Sequence, residues 1–162
     1  MTEYVLGFAF TNDYAGFDRV LLIRKTKPVW QAGRLNGIGG KLEAGETPHR
    51  AMAREFSEEC GLDSLPGAWL LFAEMIFDDC VVYCFSTWWG WKQFKQARST
   101  TEEEICSFEL DEKFFEKLEA APAIPNLHWL IPAGRAAWKN SSIPVLEIKE
   151  SKTRLFHDPK IP

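Results

Sequence analysis

No run in this chain approaches the ~20 consecutive apolar residues that span a bilayer, and basic charge is not in excess. Its 19 Lys+Arg stand against 23 Asp+Glu, for a net charge of -4. The first absence excludes a membrane-spanning helix, so no membrane partner is expected. The second excludes a surface built to grip long nucleic acid, which needs a basic stripe along the phosphates. Histidine is scarce: His49, His128 and His157 lie at no ligand-like spacing from the four cysteines, Cys60, Cys80, Cys84 and Cys106. Without a Cys-x-x-Cys pair, neither a zinc site nor a disulfide framework is supported. Buried thiols in a reducing compartment are expected instead. The opening MTEYVLGFAFTND shows no basic segment followed by an apolar stretch and a small-residue cleavage site. A cytoplasmic protein is therefore expected.

What is present suits an ordinary globular fold. Of 162 residues, 46% are hydrophobic, and a chain of about this size buries some 70% of its unfolded surface without a staple. Residues 1–149 read as one domain and 150–162 as a polar tail. Strands are expected at 4–10 and 20–23, around turn chemistry at 12–16. Residues 26–40 hold glycines and a proline but little periodicity, and read as a loop. Thr47 as N-cap, Pro48 at the first position and Gly61 as terminator frame a helix. Apolar strands at 69–77 and 80–88 would be joined as a hairpin by Asp78-Asp79. A short strand is expected at 104–110, a helix from Asp111 to 119, another over 127–139 despite Pro132, and a last strand at 145–148. Strands and helices mix without strict alternation, so the fold class is α/β (α+β) with a mixed β-sheet.

The helix starting at Pro48 carries the chemistry. At 100° per residue, Glu55, Glu58 and Glu59 fall within about a 100° arc, while Met52, Ala53, Phe56 and Cys60 fill the neighbouring arc and would pack on the sheet. Like charges one turn apart destabilise a helix by ~0.2–0.5 kcal/mol per pair. Arg54 could offset part of this as an ion pair. A divalent cation would do more, because hard oxygen ligands on a rigid helix suit Mg2+ or Mn2+. On the helix alone, a solvated acidic face is the plainer explanation of the pattern. The neighbouring segment argues otherwise: Gly39-Gly40 lets backbone approach a ligand closely, and Lys41 can neutralise a phosphate.

Residues 40–62, GKLEAGETPHRAMAREFSEECGL, resemble the Nudix box, G-x5-E-x7-R-E-U-x-E-E-x-G-U. Gly40, Glu46, Arg54, Glu55, Glu58, Glu59, Gly61 and Leu62 hold its fixed positions, and Phe56 stands where a bulky aliphatic residue is usual. The resemblance implies an α/β/α sandwich that hydrolyses a nucleoside diphosphate linked to another group, with divalent metal. By position it implies Glu58 and Glu59 as metal ligands and Glu55 as a ligand or as the base that activates water. It further implies Glu46 as support, Arg54 as the residue orienting the glutamates, and a Gly40 or Gly39 carbonyl completing coordination. Many members draw one more acid from outside the box. Glu102, Glu103 and Glu104 are the candidates, with Glu102 preferred from its distance to Phe108, against a solvated turn.

The approach segment 32–41, AGRLNGIGGK, is similar to that of MutT-type nucleoside triphosphate pyrophosphohydrolases. That resemblance implies base contact by Asn36 and by Asn126, though an Asn after Pro125 also serves as a plain helix cap. The stacking Trp of oxidised-purine hydrolases is replaced here, with Ala123 nearest, so triphosphate hydrolysis is implied without that selectivity. Arg24 and Arg34 are candidate phosphate contacts. ADP-ribose hydrolases carry a proline downstream of the box, and residues 71–77 hold none. Hydrolysis of another nucleoside diphosphate compound (ADP-ribose, a dinucleoside polyphosphate or a nucleotide sugar), an idle nucleotide-binding domain, and a prenyl diphosphate isomerase remain as alternatives. Trp88-Trp89-Gly90-Trp91, followed by Lys92, Phe94, Lys95 and Arg98, could form a lid over a base or pack on the core or a homodimer partner.

Overall fold

The helix α1 (Pro48–Cys60) forms where its caps place it. The Thr47 hydroxyl accepts the Arg50 N–H at 3.4 Å, Pro48 starts the first turn, and Gly61 closes the helix in the left-handed region at φ 65°, ψ 23°. The structure, a computed structural model, describes residues 1–149 apart from Ala121 and Ser141. The polar tail read at 150–162 lies outside the described residues.

Among the described residues, seven strands build one mixed sheet: β1 (Thr2–Asn12), β2 (Asp18–Arg24), β3 (Leu35–Asn36), β4 (Leu70–Ile76), β5 (Cys80–Trp88), β6 (Glu104–Glu109) and β7 (Leu146–Lys149). Their order is β3-β2-β1-β5-β4-β7, with β6 paired to β2. The Asp78-Asp79 hairpin is present, closed by the Phe77 N–H on the Cys80 carbonyl at 2.9 Å. β1 runs parallel to β5 from Thr2↔Cys80 to Phe10↔Trp88. Against β2, however, β1 pairs only over residues 10–12. The two strands then splay, and residues 35–42 fill the wedge. β3 pairs with β2 at Ile23↔Asn36 and Arg24↔Leu35, after which Ile38 and Lys41 bridge to Gly7 and Tyr4 of β1. This corrects the loop expected over residues 26–40. Its strand portion is made by two splayed neighbours and not by any periodicity of its own.

Alternation along β1 and β2 sends side chains to two layers. Val5, Ala9, Leu21 and Ile23 meet Ala51, Met52, Phe56 and Cys60 of α1. Leu6, Phe8, Phe10, Val20 and Leu22 meet the opposite layer, formed by α3 (Phe114–Ala120) and α4 (Leu127–Lys139). The result is the expected α/β/α sandwich. α3 begins three residues after Asp111, whose carboxylate accepts the Lys117 ammonium at 2.7 Å. Pro132 lies inside α4.

The tryptophan segment packs on the chain's own core. Trp88 stacks on Phe10 at 5.8 Å between ring centroids. Trp89 stacks on Phe56 at 5.5 Å. Trp91 opens the short helix α2 (Trp91–Phe94), not foreseen in the sequence, and stacks on Phe94. Cys60 and Cys84 are buried, and loss of solvation pushes both thiols up, away from thiolate chemistry. Among the described residues no helix is long and apolar enough to cross a membrane.

Candidate active site

Two cations organise the acidic face of α1. Arg54 is the first. Its Nε and Nη2 donate to the two oxygens of Glu46 at 3.0 and 2.9 Å, a bidentate pair. Its Nη1 donates to Glu55 at 2.9 Å and to Glu58 at 3.1 Å, and Nη2 also reaches the Lys41 carbonyl at 3.1 Å. The planar guanidinium can serve all these acceptors because its five N–H groups are fixed in one plane. The Arg54 hydrogen bonds hold the Glu46 carboxyl below its ordinary range and push Arg54 itself further up. Glu55 moves the other way, because burial outweighs the pull of Arg54.

Lys25, one residue past β2, is the second cation. Its Nζ lies 2.6 Å from Glu103 Oε2 and 3.6 Å from Glu59 Oε1. Glu103 is 5% exposed and Glu59 7%. Glu103 also accepts the Thr26 N–H at 2.9 Å. Burial drives its carboxyl up, but Lys25 and the backbone donors outweigh that and leave it below its ordinary value. Glu59 accepts the Gly39 N–H at 3.1 Å, yet burial dominates and pushes it up to about 7. Of the candidate triplet, then, the fold brings Glu103 to the α1 acids. Glu102 is exposed, and Glu104 pairs with Arg24 at 3.2 Å. The turn before β6 thus aims Glu103 toward α1, whereas the preferred Glu102 faces solvent.

The glycine pair closes the site. Gly39 has φ 155°, and a Cβ there would sit 2.1 Å from the Val5 carbonyl oxygen. A Cβ at Gly40 would sit 2.4 Å from Glu55 Oε1. The Gly40 backbone therefore abuts the Glu55 carboxylate more closely than a side chain would permit, and the Gly39 N–H meets Glu59. Among the described residues, five carboxylates (Glu46, Glu55, Glu58, Glu59, Glu103) face two cations here. That deficit of positive charge, and an all-oxygen donor set, fit a hard divalent cation. Glu55, Glu58, Glu59, Glu103 and the Gly39–Gly40 carbonyls are the groups that could hold it. Among the described residues, no three His, Cys, Asp or Glu side chains yet converge as a metal cluster; the carboxylates turn to Arg54 and Lys25.

Residues 5–130 match the family model described as the NUDIX domain. The chain belongs to the Nudix family. The putative 8-oxo-dGTP diphosphatase 2 of Mycobacterium tuberculosis is 48% identical over 44 residues, 27% of this chain and 31% of that protein. The 8-oxo-dGTP diphosphatase of Escherichia coli is 33% identical over 61 residues, 38% of this chain and 46% of that protein. The aligned parts thus span less than half the length of these curated relatives. Among solved structures, the NUDIX domain of Shewanella oneidensis NrtR, complexed with ADP ribose, has a TM-score of 0.63 at 13% identity. It covers 84% of this chain and 87% of that one, a likeness of fold alone.

Within this Nudix domain the unusual aromatic of the box has a packing reason. Phe56 sits edge-on to Trp69 at 5.1 Å and stacks on Trp89, so a planar ring fills the slot where an aliphatic side chain is usual. The outlying candidates fare differently. Arg24 donates to the Gly33 carbonyl at 3.2 Å as well as to Glu104, which engages it in the β2–β6 pair. Arg34 is half-buried, and the Lys41 side chain is exposed. Asn36 donates to Gln31 at 3.1 Å and accepts the Gly37 N–H at 2.8 Å. Asn126 stands at the start of α4 but makes no side-chain cap bond; its amide reaches Met75 Sδ at 3.6 Å. A parallel bridge, Leu35↔Ala123, sets the two asparagine-bearing segments side by side. Sequence reading missed Lys25. Strand alternation from Leu21 and Ile23 could have placed it on the α1 face.

Proposed function

We propose that this Nudix domain, taken as residues 1–149, is a divalent-cation-dependent pyrophosphohydrolase of (deoxy)nucleoside triphosphates, with Mg2+ as the ion and Mn2+ as a substitute. The observation that carries the reading is the carboxylate cluster of α1, only partly balanced by Arg54 and Lys25, against the Gly39–Gly40 backbone. Water adds to phosphorus, the bridging P–O bond breaks, and the products are a nucleoside monophosphate and pyrophosphate. A bound divalent ion would neutralise phosphate oxygens, lower the pKa of a bound water and align an in-line displacement.

The chain's own residues supply the rest. Arg54 fixes the orientation of Glu46, Glu55 and Glu58, so their carboxylates are ordered before substrate arrives. Glu55, held through Oε1 by Arg54, keeps Oε2 to bind the ion or to take the proton from the attacking water. Glu58 and Glu59 serve as ligands, and Lys41 and Arg34 as phosphate contacts. Glu103 replaces Glu102 as the acid from outside the box. Asn36 and Asn126 offer both donors and acceptors to a base edge. The names of the two curated relatives favour a triphosphate. The NrtR neighbour keeps ADP-ribose as the second reading.

Product analysis over canonical and oxidised triphosphates, ADP-ribose, dinucleoside polyphosphates and nucleotide sugars separates these substrates. Monophosphate plus pyrophosphate from triphosphates is expected. Glu58→Gln should remove most Mg2+-dependent pyrophosphate release; unchanged release would dismiss Glu58 as a ligand.

A further inference from the structure

Lys25 is placed with unusual firmness for a lysine. Its N–H donates to the Arg34 carbonyl at 2.9 Å, and its carbonyl accepts the Gly33 N–H at 2.8 Å. The backbone is thus pinned to the segment leading into the glycine pair. The side chain is 13% exposed and ends between two carboxylates carried by different elements, Glu59 of α1 and Glu103 before β6.

The Glu103 loop is fastened to α1 as well. The Arg98 N–H donates to the Cys60 carbonyl at 3.0 Å and the Thr100 N–H to the Glu59 carbonyl at 3.4 Å, while the Thr100 hydroxyl donates to the Glu58 carbonyl. These bonds satisfy the last carbonyls of the helix, which have no partner within it. Glu103 and Glu59 are therefore held at a fixed separation, and the Lys25 ammonium fills the space between them.

We propose that Lys25 is a positioning residue that acts as an internal counterion, keeping Glu59 and Glu103 facing one another and competing with the divalent cation for their oxygens. This rests on the divalent-cation reading above. Two like-charged carboxylates buried this close need a positive charge, and an unpaired buried charge is costly. Lys25 supplies it. A doubly charged ion on the same oxygens must repel the ammonium and take over its contacts. Loading the site then requires the Lys25 side chain to withdraw, and metal affinity is set below what the bare carboxylates would give.

The test compares wild type, Lys25→Met and Lys25→Arg for Mn2+ affinity, by electron paramagnetic resonance of free Mn2+, and for thermal midpoint with and without Mn2+. Lys25→Met should lower the midpoint in chelator yet bind Mn2+ about 10-fold more tightly, the scale on which groups contacting metal ligands act. Lys25→Arg should stay near wild type. A merely structural lysine would move the midpoint alone. Unchanged or weaker Mn2+ binding in Lys25→Met overturns the proposal while leaving the hydrolase reading intact. Wild type that binds no Mn2+ overturns both. Should Lys25→Met fail to fold, the Lys25 ammonium resonance of the wild type decides. It should shift as Mg2+ saturates the site, and a resonance that does not move refutes the competition.

Discussion

Two charge clusters sit at opposite ends of β2, and they balance their charge in opposite ways. At the start of the strand, Asp18 is 7% exposed and is the single acid among several donors. It accepts Arg135 and Lys139 from α4, the latter at 2.7 Å, and the Asn12 amide. Burial raises its pKa, but the two cations outweigh that and hold it below its ordinary value. Just past the end of the strand, Lys25 joins Arg54 against five carboxylates, and Glu59 is pushed up to about 7. An acid with surplus cations is a clasp between elements, tying α4 to the β1–β2 turn. A cluster of acids with too few cations is a place for one to bind.

The sharpest way to break this contrast is Glu59→Gln. If Glu59 is the ligand proposed above, this should lower metal-dependent turnover by about 100-fold or more, because a carboxylate oxygen and a negative charge are both lost. Steady-state pyrophosphate release checks it, and a change of only two- or threefold would put Glu59 outside the reaction.

Stability should depend on pH with opposite sign at the two clusters. Glu59 has its folded pKa above the ordinary 4.5, so between pH 4.5 and about 7 the folded state holds a proton that the unfolded state has released. Its contribution is fully present below pH 4.5 and is lost as pH rises through 7, at about 1.4 kcal/mol per unit of separation. Asp18, lowered from 3.8, contributes above pH 3.8 and loses that contribution as pH falls through its folded value. Thermal midpoints in chelator from pH 3 to 8 test this. Glu59→Gln should flatten the upper window and Asp18→Asn the lower one.

At neutral pH, Asp18→Asn should cost about 1–3 kcal/mol, since Arg135 and Lys139 lose their anionic partner but keep solvent. That corresponds to roughly 2–4 °C in midpoint per kcal/mol, with turnover per folded molecule unchanged. A parallel loss of turnover would show that the clasp reaches the site.

The smallest effect concerns the base. Asn126→Ala should change the preference between nucleobases by about 10-fold with little change in maximal rate. Equal loss across all bases would remove Asn126 from recognition. The same panel with Asn36→Ala asks whether the two neighbouring segments act together.

How far the site could be read in advance depended on distance along the chain. The Thr47 cap, the Glu55–Glu58–Glu59 face, the buried Met52–Phe56–Cys60 stripe and the Gly61 terminator all follow from one contiguous stretch. A single helical register arranges them. Among Glu102, Glu103 and Glu104, spacing to Phe108 favoured Glu102, and adjacent residues in a turn have no periodicity that would point to Glu103 instead. The bonds from Arg98 and Thr100 to the end of α1 decide which one turns inward. Similarly, β3 exists because β1 and β2 splay, which neither strand's own residues announce.

The sequence by itself determined α1, its ring of acids and the glycines that bring backbone against them, because helix geometry is set within a few residues. Only the tertiary structure decided the counter-charges. Lys25 and Glu103 stand 78 residues apart, and their meeting depends on the register of β6 against β2 and on a loop fastened to α1. Such pairings are fixed by long-range packing and cross-strand hydrogen bonds. The local chain therefore names the acids, and the fold names the cations that hold them.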